Sequence, residues 1–215
     1  MSDALQATDR TRLRRLADRG TFDRNTANAI LDEAYLAHVG FVVDGQPRVL
    51  PMTFGRAGAV LYLHGAVGNA MLRASSGAEV CVTVTLLDGL VLARSAFHHS
   101  MNYRSVVLLG RAEKVDDPAE KRHALDVIVD HVVPGRSAES RPTDDAEARA
   151  TLVLRLPIEE GSVKVRTGDA LDDPADLALP HWAGVVPLRL VAGAPTANAD
   201  LTVDAAAPAP ERFVR

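Results

Sequence analysis

Between Tyr35 and Val115 the sequence is a succession of apolar runs separated by turn residues, with room for one short helix among them. The breaks fall at Asp44-Gly45, at Gly55 and Ala57-Gly58, and at Asp88-Gly89. Asp-Gly flanked by apolar residues favours a tight two-residue hairpin, because both central positions of such a turn need positive φ. The pattern therefore predicts strands over Tyr35 to Val43, Arg48 to Phe54, from Val60, Glu79 to Leu87, Leu90 to Phe97 and Asn102 to Val115, the last bent at Gly110. Within Glu79 to Leu87, Val80, Val82, Val84 and Leu86 alternate with Cys81, Thr83, Thr85 and Leu87, the period of a strand with two different faces. Consecutive antiparallel strands with few helices between them predict a barrel or sandwich rather than a doubly wound sheet.

Helices are expected at two further places. Asp23 or Asn25 can cap a short helix through Ala34, with Ala27, Ile30, Leu31 and Ala34 on one face. Asp117-Pro118 starts a second, whose apolar face is Ala124, Leu125, Ile128, Val129, Val132 and Val133 before Pro134-Gly135 ends it. Residues 1–21 read as a polar N-terminal arm, 22–190 as one domain and 191–215 as an Ala/Pro-rich tail. At 215 residues, a second full domain is not expected.

The net charge of -4 argues against a nucleic-acid binder, which needs a basic face. A single cysteine, Cys81, points to a reducing compartment. The first thirty residues lack a signal-peptide core, and no apolar run approaches the ~18 residues of a membrane span. The expectation is a cytoplasmic protein without membrane or nucleic-acid partners.

Chemistry is sought first in Val60 to Ser75, V-L-Y-L-H-G-A-V-G-N-A-M-L-R-A-S, where a strand passes through small residues into a helix. The first N–H groups of such a helix lack internal partners and, with the helix dipole, attract a phosphate. An ordinary strand-to-helix connection has the same sequence pattern. No G-x-G-x-x-G or G-x-x-x-x-G-K-[ST] loop is present, which excludes the main dinucleotide and triphosphatase fingerprints. The seven histidines show no metal-ligand spacing: His98-His99 would face opposite ways on a strand, and His123 and His131 are eight apart. No metal site and no serine nucleophile is expected. Asn102-Tyr103-Arg104-Ser105 brings polar groups to the head of an apolar strand, and Trp182 is the only tryptophan, a candidate lid over a planar ligand.

Taken in order, R-V-L-P-M-T-F, L-Y-L-H-G-A-x-G-N, S-M-N-Y-R-S-V, V-K-V-R-T-G and W-A-G-V-V-P resemble the FMN-binding split-barrel proteins related to pyridoxamine 5'-phosphate oxidase. The chain is most similar to the bacterial branch that includes the nitroimidazole-resistance reductases. That resemblance implies a six-stranded antiparallel split β-barrel, mainly β with flanking helices, and a homodimer with FMN at the interface. It further implies that Arg48, Val49, Leu50, Pro51, Met52 and Thr53 lie along the flavin, with Leu63, His64 and Gly65 beneath it. Gly68, Asn69 and Ala70, helped by Arg73, would receive the phosphate, and Tyr103, Arg104, Ser105 and Trp182 would approach from the second chain. The implied activity is an oxidoreductase moving hydride or electrons to or from a small planar substrate; no catalytic acid or base is assigned. Pyridoxamine phosphate oxidases proper carry basic residues at the phosphate turn and a lysine at the end of the second-strand motif, where this chain has Gly68, Asn69, Ala70 and Thr53. Two alternatives remain: a non-catalytic flavin or tetrapyrrole carrier, and a member of the fold that uses deazaflavin or haem.

Overall fold

The computed structural model describes residues 3–203 and 205–213. Helix α1 (Arg24–Glu33) begins at Asp23, whose carboxylate accepts the N–H of Thr26 at 2.7 Å and so caps the first turn. It buries Ala27, Ile30 and Leu31. Strands β2 (Ala37–Val43) and β3 (Gln46–Met52) follow as a hairpin, with Asp44 and Gly45 both at positive φ (51° and 75°) as the Asp-Gly signal predicts.

The long pair is β6 (Glu79–Leu92) and β7 (Ser100–Arg111), antiparallel from Glu79↔Arg111 to Val91↔Ser100. One expected turn is absent, and the one expected from Gly55 through Gly58 is confined to Gly58, at φ 58°. Asp88-Gly89 is a β-bulge within β6, where the register shifts between Leu87 and Gly89, so 79–92 is one strand rather than two. Gly55 lies inside β4 (Phe54–Ala57) and serves helix α3 (Pro118–Val132): a Cβ on Gly55 would stand 2.9 Å from the Ile128 backbone. The helix rests against the strand at a place where only glycine fits.

The strands form two sheets. One has the order β1-β10-β7-β6-β2-β3, where β1 is Gly20–Thr21 and β10 is Glu160–Arg166, with β11 (Gly184–Pro187) also on β6. The other has the order β4-β5-β9-β8, with β5 (Val60–Ala66), β9 (Thr151–Pro157) and β8 (Glu113–Lys114). Every pairing is antiparallel. The chain changes sheet four times, at Thr53, between β5 and β6, at Ala112 and between β9 and β10, and the inner faces share one core of Val39, Phe41, Val82, Val84, Val106 and Leu108 against Phe54, Leu61, Leu63, Leu154 and Leu156. This is the expected split barrel, extended by the short strands β1, β8 and β11. A smaller cluster, Tyr62, Val115, Ala124, Ile128 and Val153, seats α3 on the outer side of the second sheet.

The N-terminal segment is docked rather than loose: Leu5 is 3% exposed, and Ala4 and Gln6 bridge to Asp23 and Glu160. The tail is tied as well at Arg212 and Phe213. Arg212 pairs with Glu139 at 2.9 Å, and the Tyr35 hydroxyl donates to the Phe213 carbonyl at 3.1 Å.

Gly55→Ala should push α3 off β4 and destabilise the fold by about 1–3 kcal/mol, the usual range for overpacking. A thermal melt that matched the parent's would contradict this reading of the glycine.

Candidate functional site

Strand β5 delivers the turn. Leu63 faces the core at 1% exposure, and His64, opposite Val153 in the ladder, faces the other way. Gly65 lies under helix α2 (Ala70–Ser75), where a Cβ would meet Leu72 Cδ2 at 3.2 Å. The helix start is partly closed from within, since Asn69 Oδ1 accepts the N–H of Leu72 at 3.0 Å. A Cβ on Gly68 would have no atom within 4 Å, so the space in front of the turn is open. Ala70 and Arg73 are exposed beside it.

His64 is half-buried and its Nδ1 is buried without a hydrogen-bond partner. Burial holds this imidazole below its ordinary value of 6.5, favouring the neutral form. A neutral ring with an unpartnered nitrogen can coordinate a metal centre or accept a hydrogen bond from a ligand.

Strand β3 ends near the same place, because Phe54, just beyond Thr53, pairs with Leu63. The six expected residues of this segment do not share a face. Arg48, Leu50 and Met52 pair with Phe41, Val39 and Ala37 on the core side, whereas Val49 and Pro51 pair with Gly40 and His38 on the outer face. Thr53 is exposed between the strands. Along the outer face, the ladder continues His38↔Thr83 and Thr83↔Val107.

Tyr103 and Ser105 lie on that outer face, opposite Leu87 and Thr85. Arg104 points to the other side, toward α1. Its Nη2 reaches Glu33 Oε1 and Asp88 Oδ1, both at 2.7 Å, and its Nε reaches Asp88 Oδ2 at 2.9 Å. The hydrogen bonds to Glu33 and then Asp88 hold the guanidinium above its ordinary value, so its charge is already matched within the chain. Trp182 is 66% exposed and lies against Gly184, which pairs with Leu92 at the far end of β6.

The expected site thus forms two groups. Residues 48–53 of β3, 63–65 of β5 and 68–73 of the turn and α2 gather at the junction of the sheets. Tyr103, Ser105 and Trp182 sit on or beyond β7 and β6, and β3 and β7 are three strand spacings apart, about 14 Å. The two groups of a single chain are therefore set apart across the outer face of the larger sheet. The outer face between them carries exposed Val42 (60%), Val49 (63%), Leu87, Leu90 and Met101 (50%).

No local sequence pattern points to Glu33 and Asp88 as partners of Arg104, or to a second feature, a buried polar pair at the start of β7. Asn102 (8% exposed) and Arg166 (6%) bond to each other there. The alternation of valine with basic residues over 162–166 was the only sign of the second. Among the described residues, no group of three or more His, Cys, Asp and Glu side chains is arranged to hold a metal ion.

Because the unfolded His64 takes up a proton near pH 6.5 and the folded one only at lower pH, acid favours unfolding through this residue. The parent should lose more stability than His64→Gln as pH falls below 6.5, and the two should run parallel above it. Denaturant unfolding of both proteins across that range checks the difference.

Residues 23–165 match the family described as Pyridoxamine 5'-phosphate oxidase. Among solved structures, the flavocytochrome Anf3 from Azotobacter vinelandii is 42% identical, with 97% of each chain covered and a TM-score of 0.90. An FAD and haem binding protein from Mycobacterium smegmatis is 40% identical over 91% of this chain and 97% of that one, with a TM-score of 0.86. A protein from Bacteroides thetaiotaomicron, described as a candidate 5-nitroimidazole antibiotic resistance protein, is 29% identical over 68% of this chain and 86% of its own, with a TM-score of 0.57. No match is found among curated proteins. The antiparallel split barrel, the glycine turn feeding α2 and these similarities lead to one assignment: the chain belongs to the pyridoxamine 5'-phosphate oxidase-like family of flavin-binding split barrels.

Proposed function

We propose that this protein is a cytoplasmic oxidoreductase that binds a flavin nucleotide together with a haem at the interface of a homodimer, and passes electrons from a small donor to a small acceptor. The observation that carries the reading is similarity over nearly the whole chain to a flavocytochrome and to an FAD and haem binding protein, at 42% and 40% identity. The haem-using alternative raised by the sequence therefore takes precedence over FMN alone.

Two features of the chain fit this pair of groups. His64 offers a neutral imidazole, one of the ligand types haem iron accepts, and its buried Nδ1 has no hydrogen-bond partner. The turn at Gly68 is open, and Arg73 stands exposed on the short helix that follows. Since residues 68–70 bring no cation to a terminal phosphate, FAD, whose bridging phosphates each carry a single charge, suits the turn better than the FMN implied by the motifs. The flavin would lie between the turn of one protomer and the partner subunit's Tyr103, Ser105 and Trp182. This arrangement brings the two separated groups together and covers the apolar outer face around Val49 and Met101.

A bound flavin takes electrons as a pair and releases them singly, and a haem takes them one at a time. The protein's part is to orient both groups, to keep His64 unprotonated by burial, and to exclude water from the ring with Trp182. A reducing compartment fits the free Cys81. A second reading, a haem-free flavin reductase of a small planar substrate, is favoured by the similarity to the nitroimidazole resistance candidate.

Loading the purified protein with haem and with FAD or FMN separates the readings. The expected outcome is a Soret band and a bound-flavin band in the parent, with His64→Ala losing or shifting the Soret band and keeping the flavin. A parent that binds flavin and shows no Soret band would leave the reductase reading in place. Val49→Asp, a charge on the outer face, should sediment as a monomer and bind flavin about tenfold or more weaker, a change of about 1.4 kcal/mol or more. A Val49→Asp dimer with unchanged affinity would refute the interface.

A further inference from the structure

Arg166, 6% exposed, ends β10, and each hydrogen bond of its guanidinium terminates on a neutral oxygen. Nη1 donates to the Asn102 side-chain oxygen and to the Gly168 carbonyl at 3.2 Å, and Nη2 donates to the Asp169 carbonyl at 3.0 Å. Nε is buried and has no partner. The contrast with its neighbours is chemical. Arg94 faces Asp172 at 2.8 Å, and Arg104 faces both Glu33 and Asp88. A full positive charge held away from water is stable only when an opposite charge or a complete set of acceptors compensates it. Arg166 has neither.

The unsatisfied atom has a particular geometry. A guanidinium receives a carboxylate or phosphate side-on through two parallel N–H groups, and Nε–H with one Nη2–H forms such an edge. Nη2 spends one of its two N–H groups on Asp169. In the ladder Arg166 pairs with Tyr103, so its side chain leaves the strand on the outer face that carries Tyr103 and Ser105, before its far end reaches Asn102. Thr167, Gly168 and Asp169 are exposed, and Gly168 sits at φ 99°, a backbone conformation that other residues rarely adopt.

We propose that Arg166 is an oxyanion anchor, taking a phosphate or carboxylate oxygen of the bound cofactor on its Nε and Nη2 edge. The proposal rests on the flavin and haem reading above, and it names the residue that recognises the charged end of one of those groups. Two sources carry the chemistry, the phosphate of the flavin nucleotide and the propionate of the haem. Asn102 acts as a positioning residue, holding the guanidinium through Nη1 and leaving the other edge to the ligand.

The test compares full-length parent, Arg166→Gln and Arg166→Lys by absorbance titration with FAD, FMN, riboflavin, haem and haem dimethyl ester, with a thermal melt of each variant. Losing a charge-assisted bidentate contact should weaken the charged ligand of the pair by about ten- to a hundredfold. If the phosphate is the partner, Arg166→Gln loses affinity for FAD and FMN and keeps that for riboflavin. If the propionate is the partner, it loses affinity for haem and keeps that for the dimethyl ester. Arg166→Lys, which keeps the charge without the fork, should fall between parent and Gln, and it decides the question if Arg166→Gln does not fold. Equal affinities in all three proteins, or equal losses for charged and neutral ligands, would overturn the anchor while leaving the cofactor reading intact. A parent that binds none of the five would overturn both.

Discussion

The rest of the fold hangs on the β6–β7 ladder. From Glu79↔Arg111 to Val91↔Ser100 it commits Val80, Val82 and Val84, with Val106 and Leu108, to the core, and sends the residues between them outward. A slip of one residue would exchange those faces, so burial of the valines fixes the register. β2 and β11 then pair with β6, and β10 pairs with β7, so nearly every strand of the larger sheet takes its position from these two. The bulge at Asp88 lets the pairing run past an Asp-Gly that elsewhere would turn the chain. It also places a carboxylate beside Arg104.

The site follows from where the two sheets part. The chain leaves the first sheet at Thr53, and the next strand but one returns to the same corner as Leu63, His64 and Gly65. Two glycines at this corner have different consequences. Gly55 admits the backbone of α3, whereas Gly68 leaves open the space before α2. Among the described residues, the one buried imidazole nitrogen without a partner lies at this corner. Residues 48–53, 63–65 and 68–73 thus gather at this corner, whereas Tyr103, Ser105 and Trp182 lie away from it on or beyond β7 and β6.

Charge divides the two arginines that flank β7. Arg104 is bound on two sides by Glu33 and Asp88, which makes it a link between α1 and the bulge. Arg166, on the neighbouring strand, has the same charge and deeper burial, and only neutral oxygens around it. Identical side chains at adjacent ladder positions, Arg104 opposite Val165 and Tyr103 opposite Arg166, have opposite electrostatic standing because strand alternation turns one toward a helix bearing a carboxylate and the other toward a bare loop.

The sequence by itself determined where most of the longer strands lie, the cap of α3, that of α1 to within Asp23 or Asn25, the Asp44-Gly45 hairpin and the turn into α2. Each of these is set by neighbours a few residues away: alternation, an Asp at the N-cap, or φ-positive residues in a two-residue turn. The tertiary structure alone decided what Asp88-Gly89 and Gly55 are for, which face each of Arg48 to Thr53 takes, and that Arg104 is matched while Arg166 is not. A bulge and a turn share one dipeptide, and the choice between them depends on whether a second strand continues alongside. The partners of a buried charge come from segments tens of residues distant, Glu33 for Arg104 and Asn102 for Arg166, and no local pattern encodes their approach.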